Sequence, residues 1–105
     1  MANDRIIQLE QFYEEDPLDP FNLYALALEY LKSQPTKSQR LFETLLENHP
    51  EYLPAYYHAA KLYQEIGEIE KAAKVFKNGI SLADKLKDSK TLRELKSAYD
   101  ELMFE

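Results

Sequence analysis

An all-α protein of stacked helix-turn-helix repeats, closed by a leading and a trailing helix, is what this sequence predicts. Two stretches, 20–50 and 54–84, carry small and aromatic residues at one spacing. Leu23, Leu26, Ala27, Tyr30, Ser38, Phe42 and Leu45 are answered by Tyr56, Ala59, Ala60, Tyr63, Ala72, Phe76 and Gly79. The offset is 33 up to Tyr63 and 34 from Ala72 onward, because Ser33-Gln34-Pro35 stands where the second copy has Glu65-Ile66-Gly67-Glu68. Composition agrees. Two glycines in 105 residues, abundant Ala, Leu, Glu and Lys, and no sustained apolar–polar alternation leave strands without support.

Prolines and capping residues then place six helices. Asn3 is the expected N-cap of a leading helix over 3–15, which Asp16-Pro17-Leu18-Asp19-Pro20 ends because two prolines forbid continuation. A second helix is expected from about Phe21 to Lys32. After Pro35, Thr36 and Gln39 read as a capping box for a third helix ending near Asn48. Pro54 suits the first turn of a fourth, where its missing N–H is harmless, and Gly67 supplies a left-handed turn after Ile66. A fifth helix runs from Ile69 to about Leu86, and Asp88 or Ser89 caps a sixth over 89–104.

Helical periodicity gives the packing. Residues three, four and seven apart share a face, so Tyr56, Ala59, Ala60 and Tyr63 form a stripe with a small middle that lets two backbones approach. Ala72, Phe76, Gly79 and Ile80 form the facing stripe, in which Ala72 and Gly79 leave room for Tyr56 and Tyr63.

These residues resemble the tetratricopeptide repeat, a helix-turn-helix of about 34 residues. In the second copy Tyr56 takes the place of the first-helix aromatic, Ala59-Ala60 of the Leu-Gly pair, Gly67 of the turn glycine, and Ala72 and Phe76 of the second-helix alanine and aromatic. Gly79 stands for an alanine, Asp84 for the terminal proline, and Ser38 for an alanine in the first copy. The resemblance implies a right-handed superhelix, here a small two-repeat protein forming one domain over 1–105. Each hairpin leaves an apolar face for a neighbour to cover, so the terminal helices are expected to cap the fold through Ile6, Leu9, Phe12 and Tyr13 in front and Leu92, Leu95, Tyr99 and Leu102 behind. Docking of the rear stripe on a second copy is the alternative to capping.

Charge is lopsided. Residues 1–52 hold 4 basic and 10 acidic side chains, whereas 53–105 hold 9 of each, with eight cations against three anions between Lys71 and Lys96. A solvated outer face is the plain reading, and head-to-tail attraction the sharper one. A net charge of −6 without a basic-aromatic motif argues against nucleic acid. No apolar run approaches the ~20 residues that span a bilayer, and residues 1–10 lack a signal-peptide plan, so a cytoplasmic location without membrane attachment is expected.

Catalytic patterns are missing. There is no cysteine, no glycine elbow beside a serine, no glycine-rich phosphate loop, and His49 and His58 lack the partners of a zinc site. Neither an enzyme nor a bound cofactor or metal is expected.

What remains is a surface for protein. In proteins this chain resembles, first helices line a concave groove that holds a peptide or partner helix. With its inward stripe filled, the fourth helix leaves Tyr57, His58, Lys61, Gln64 and Glu65 for that side, and the second helix leaves Tyr24, Ala25, Leu28, Leu31 and Lys32. Tyr24, Leu28, Tyr57, His58, Lys61 and Gln64 are the candidate contact residues. The lysine and asparagine that clamp a chaperone's terminal carboxylate are absent, since Tyr24, Leu28 and His58 hold those positions. An adaptor for a protein or peptide partner is therefore expected, with homo-oligomeric self-assembly through the terminal helices as the alternative.

Overall fold

Proline sets three of the helix starts. Pro20, Pro35 and Pro54 each occupy the first turn of a helix, where the fixed φ is already helical and no N–H is missed. The structure, a computed structural model, describes residues 4–104, so Asn3 and its expected cap lie outside them. Its helices are α1 (Asp4–Glu15), α2 (Pro20–Tyr30), α3 (Pro35–Asn48), α4 (Pro54–Glu65), α5 (Ile69–Lys85) and α6 (Ser89–Phe104), with no strand among the described residues. Two compact units result: Met1–Tyr52 with α1 to α3, and Leu53–Glu105 with α4 to α6.

Two expected boundaries are corrected. α2 stops at Tyr30 rather than Lys32, because Leu31 N–H tightens onto Leu28 O (3.3 Å) and the chain must leave helix before Pro35. The capping box at Thr36 does not form. Pro35 opens α3 one residue earlier, Gln34 caps it without a side-chain bond, and Gln39 Nε2 donates instead to Glu43 Oε2 (3.1 Å).

In the first unit, α1 lays Leu9 against Ala25, Leu26 and Tyr30, with Ile6, Tyr13 and Leu41 packed around them. Phe12, expected in that face, is 51% exposed, since it lies about 60° around the helix from Leu9. Ser38 is fully buried, and its Oγ donates to Ala27 O (2.7 Å) in the last turn of α2. The small residue thus admits the neighbouring backbone and satisfies one of its carbonyls.

In the second unit the alternation of bulk is direct. A Cβ built on Gly79 would lie 2.8 Å from Tyr56 Cβ and 3.1 Å from Leu95 Cδ1, so α4 and α6 both close on α5 where it has no side chain. Both α4 and α5 end in the same hydrogen-bond pattern. Gly67 N–H reaches Gln64 O and Glu68 N–H reaches Tyr63 O, while Lys87 N–H reaches Asp84 O and Asp88 N–H reaches Ala83 O. The left-handed residue is Gly67 (φ 86°) in one and Lys87 (φ 59°) in the other. Asp88 caps α6 as expected, accepting from Thr91 N–H at Oδ1 (3.1 Å) and from Thr91 Oγ at Oδ2 (3.0 Å). Those donors hold its carboxyl below the ordinary value, with Lys90 assisting. On α6, Leu95, Ala98 and Leu102 are buried, and Leu92 and Tyr99 are half-buried.

Candidate functional site

The inward face of α4 is spent on packing: Tyr56, Ala59, Ala60 and Tyr63 are all buried. That leaves Tyr57 exposed and His58, Lys61 and Gln64 half-buried on the remaining faces. Three of these meet in one place. Tyr57, His58 and Lys61 line a recess of about 600 Å³ whose other wall is α6, through Arg93, Glu94, Ser97, Ala98 and Glu101.

The recess is ordered and electrically mixed. Tyr57 stands edge-on to His58 (5.5 Å between ring centres, 89°) and to the buried Phe76 (6.4 Å, 67°), which fixes the outer ring through the core. Burial pushes the His58 imidazole below its ordinary value, so at neutral pH it is uncharged. The lining also carries two cations, Lys61 and Arg93, and two anions, Glu94 and Glu101. Such a wall offers hydrogen bonds and an aromatic face without a field of one sign. Gln64 is absent from the lining, and its Oε1 is buried with no hydrogen-bond partner among the described residues.

The first-unit candidates sit elsewhere. Tyr24 is half-buried with its ring 5.4 Å from Tyr52 at 58°. Burial raises both hydroxyls, helped at Tyr24 by Tyr52 and at Tyr52 by Asp19. Leu28 and Leu31 are half-buried, while Ala25, expected beside Tyr24 on the open side, is covered by α1 through Leu9. Neither Tyr24 nor Leu28 lines the recess of this unit, about 430 Å³, which is bounded by Glu10 and Tyr13 on α1, Tyr30 on α2, and Lys37 and Arg40 on α3. There the Tyr30 hydroxyl donates to Glu10, and burial plus that carboxylate push it up to about 12. Lys37 Nζ lies 5.4 Å from the Tyr30 ring centre.

Sequence reasoning missed the α6 wall. Arg93, Ser97 and Glu101 recur every four residues beside the apolar stripe of Leu95 and Leu102, a spacing that marks one helical face. Among the described residues no group of three or more His, Cys, Asp and Glu is placed to hold a metal ion, and no helix is long and apolar enough to cross a membrane.

Helical hairpins whose small residues admit the aromatics of the next helix define a repeat module of the protein-interaction kind. The solved structures give it a family. A tetratricopeptide repeat domain protein from Salinibacter ruber, determined in solution, is 39% identical over 83% of this chain and 89% of that one, with a TM-score of 0.78. A crystal structure of a tetratricopeptide repeat domain protein from the same organism gives 37% identity, 82% and 98% coverage, and a TM-score of 0.79. The MamA protein shares the fold at 21% identity and a TM-score of 0.73, covering 98% of this chain and 59% of its own. No family model matches the sequence, and no curated protein does. The chain belongs to the tetratricopeptide repeat family. It is an interaction repeat of a fold that typically serves as a non-catalytic scaffold.

Proposed function

We propose that the chain is an adaptor that holds a peptide or partner helix in the α4–α6 recess of its second unit. Tyr57 supplies the aromatic contact, His58 a neutral ring, and Lys61 with Arg93 the charge-assisted donors, while Glu94 and Glu101 answer cations on the ligand. The observation that supports this reading is the convergence of Tyr57, His58 and Lys61 on one wall of a recess about 600 Å³ in volume, within the range of ligand-holding clefts. Gln64 lies seven residues after Tyr57 and three after Lys61, on the same side of α4, and is proposed as a flanking contact at the edge of the recess. Tyr24 and Leu28 are proposed as a contact surface of the first unit in its own right.

The test is selection of peptides from a random displayed library on the wild type, followed by titration of the winners against Tyr57→Ala/Lys61→Ala. Loss of an aromatic and a charged anchor is expected to cost about 2 kcal/mol or more, roughly thirtyfold in affinity. Equal affinities in two folded proteins would move the site off α4.

A further inference from the structure

We infer that the α1–α2 turn is a docking surface for a second copy of this chain, entered by that copy's α5–α6 turn. This surface and its partner turn share no residue with the α4–α6 recess.

Three large apolar side chains crowd the α1–α2 turn in sequence and stand in solvent: Phe12 at 51%, Leu18 at 69% and Phe21 at 60% exposure. Their backbone is held by side chains. Asn22 Nδ2 donates to Phe12 O (3.0 Å) and to Asp16 O (3.1 Å), Asp19 Oδ1 accepts from Phe21 N–H (2.9 Å), and the His49 ring meets Leu18 O at 2.9 Å. An apolar surface on a backbone fixed in this way is ordered before anything binds, which lowers the entropy of docking. Around it the sequence supplies only one sign of charge. Residues 12–21 include Glu14, Glu15, Asp16 and Asp19 and no cation, and the first three of these are exposed.

The α5–α6 turn is the complement in miniature. Leu86 is 54% exposed and lies between Lys85 and Lys87, with Lys90 in the first turn of α6. Asp88, the single carboxylate between 85 and 90, is occupied by Thr91. An apolar knob framed by lysines therefore matches an apolar patch framed by carboxylates. Because every copy carries both surfaces, the contact is heterologous. A contact confined to two turns and rimmed by charge is expected to be weak and salt-sensitive.

Sedimentation velocity of the full chain from micromolar to millimolar, in low and high salt, tests this with two charge-reversed variants, Glu15→Lys/Asp16→Lys and Lys85→Glu/Lys90→Glu. Wild type is expected to associate with rising concentration and to lose that association in high salt. Each variant alone should associate at least about tenfold more weakly, and an equimolar mixture of the two should recover association, the two variants alternating head to tail. Leu86→Ser should weaken wild-type association without altering its salt dependence. Helical circular dichroism confirms that each variant is folded. A wild type that stays monomeric at millimolar concentration in low salt overturns the proposal and leaves the patch to a basic segment of another protein. Variants that associate like wild type, or a mixture that fails while wild type succeeds, overturn the pairing of these two turns.

Discussion

Gly79→Ala probes the close approach of α4 to α5. At an ordinary helix interior this exchange stabilises by about 0.5–1 kcal/mol, because glycine is the poorer helix former. Here the new methyl would sit 2.8 Å from Tyr56 Cβ, against the ~3.5–4.0 Å of a favourable carbon contact. Leu95 Cδ1, at 3.1 Å, lies at the end of a side chain and can rotate away. Tyr56 Cβ cannot, since it is fixed to the α4 backbone, so the two helices must part by roughly 0.7 Å or more. Parting them loosens Ala72 and Phe76, which are fully buried. Overpacking of this kind costs about 1–3 kcal/mol. Set against the gain in helix propensity, this leaves a net loss of up to about 2.5 kcal/mol, or roughly 10–20 °C in Tm at the upper end for a chain of this size. Thermal and urea melts followed at 222 nm measure it, with Asn78→Ala on the exposed side of the same helix as the control. A Gly79→Ala protein as stable as wild type, or more so, would refute the close approach of α4 to α5.

Ser38→Ala keeps the small volume between α2 and α3 but strips Ala27 O of its hydroxyl donor, and urea melts should show a loss of about 1–2 kcal/mol. Acidification probes His58: its folded pKa is lowered, so below the ordinary value near 6.5 the unfolded chain binds the proton first and stability falls as pH drops. Urea melts at pH 7.5 and 5.5 should show a smaller difference in His58→Gln than in wild type. At the alkaline end Tyr30 carries the opposite sign. Its pKa rises from 10.0 to about 12, so its contribution is whole below pH 10 and lost as pH climbs through that window, a loss that Tyr30→Phe should remove from an alkaline melt series.

The repeat was readable because its spacing is enforced by contact. Tyr56 and Gly79 sit 23 residues apart in sequence and touch in space, so one position cannot grow unless the other shrinks. Proline fixed the helix starts for an equally local reason. Thr36 misled because a capping box and a proline start compete for the same turn, and the proline settles the backbone first. Phe12 misled because it is adjacent to Tyr13, and two neighbouring aromatics on a helix point about 100° apart, so only one of them can face Leu26 and Tyr30. Along the candidate recess, Tyr57, His58 and Lys61 were legible as residues left over from a filled face. Arg93, Glu94 and Glu101 were not, because charges on an outer helix look alike in sequence whether they face solvent or a facing helix.

The matched endings of α4 and α5 bear on motion. Both close with the same pair of backbone hydrogen bonds, yet one asks glycine to adopt the left-handed conformation and the other asks lysine. A side chain at that backbone angle costs about 1 kcal/mol that glycine does not incur. On that term the end of α5 should open several times more often than the end of α4, although their bonds are drawn alike. The joint that connects α6 to its hairpin is thus the softer of the two, and the Asp88 amide should exchange with solvent ahead of the Glu68 amide. Rigidity in this chain is distributed by which residue sits at a turn rather than by how many bonds the turn makes.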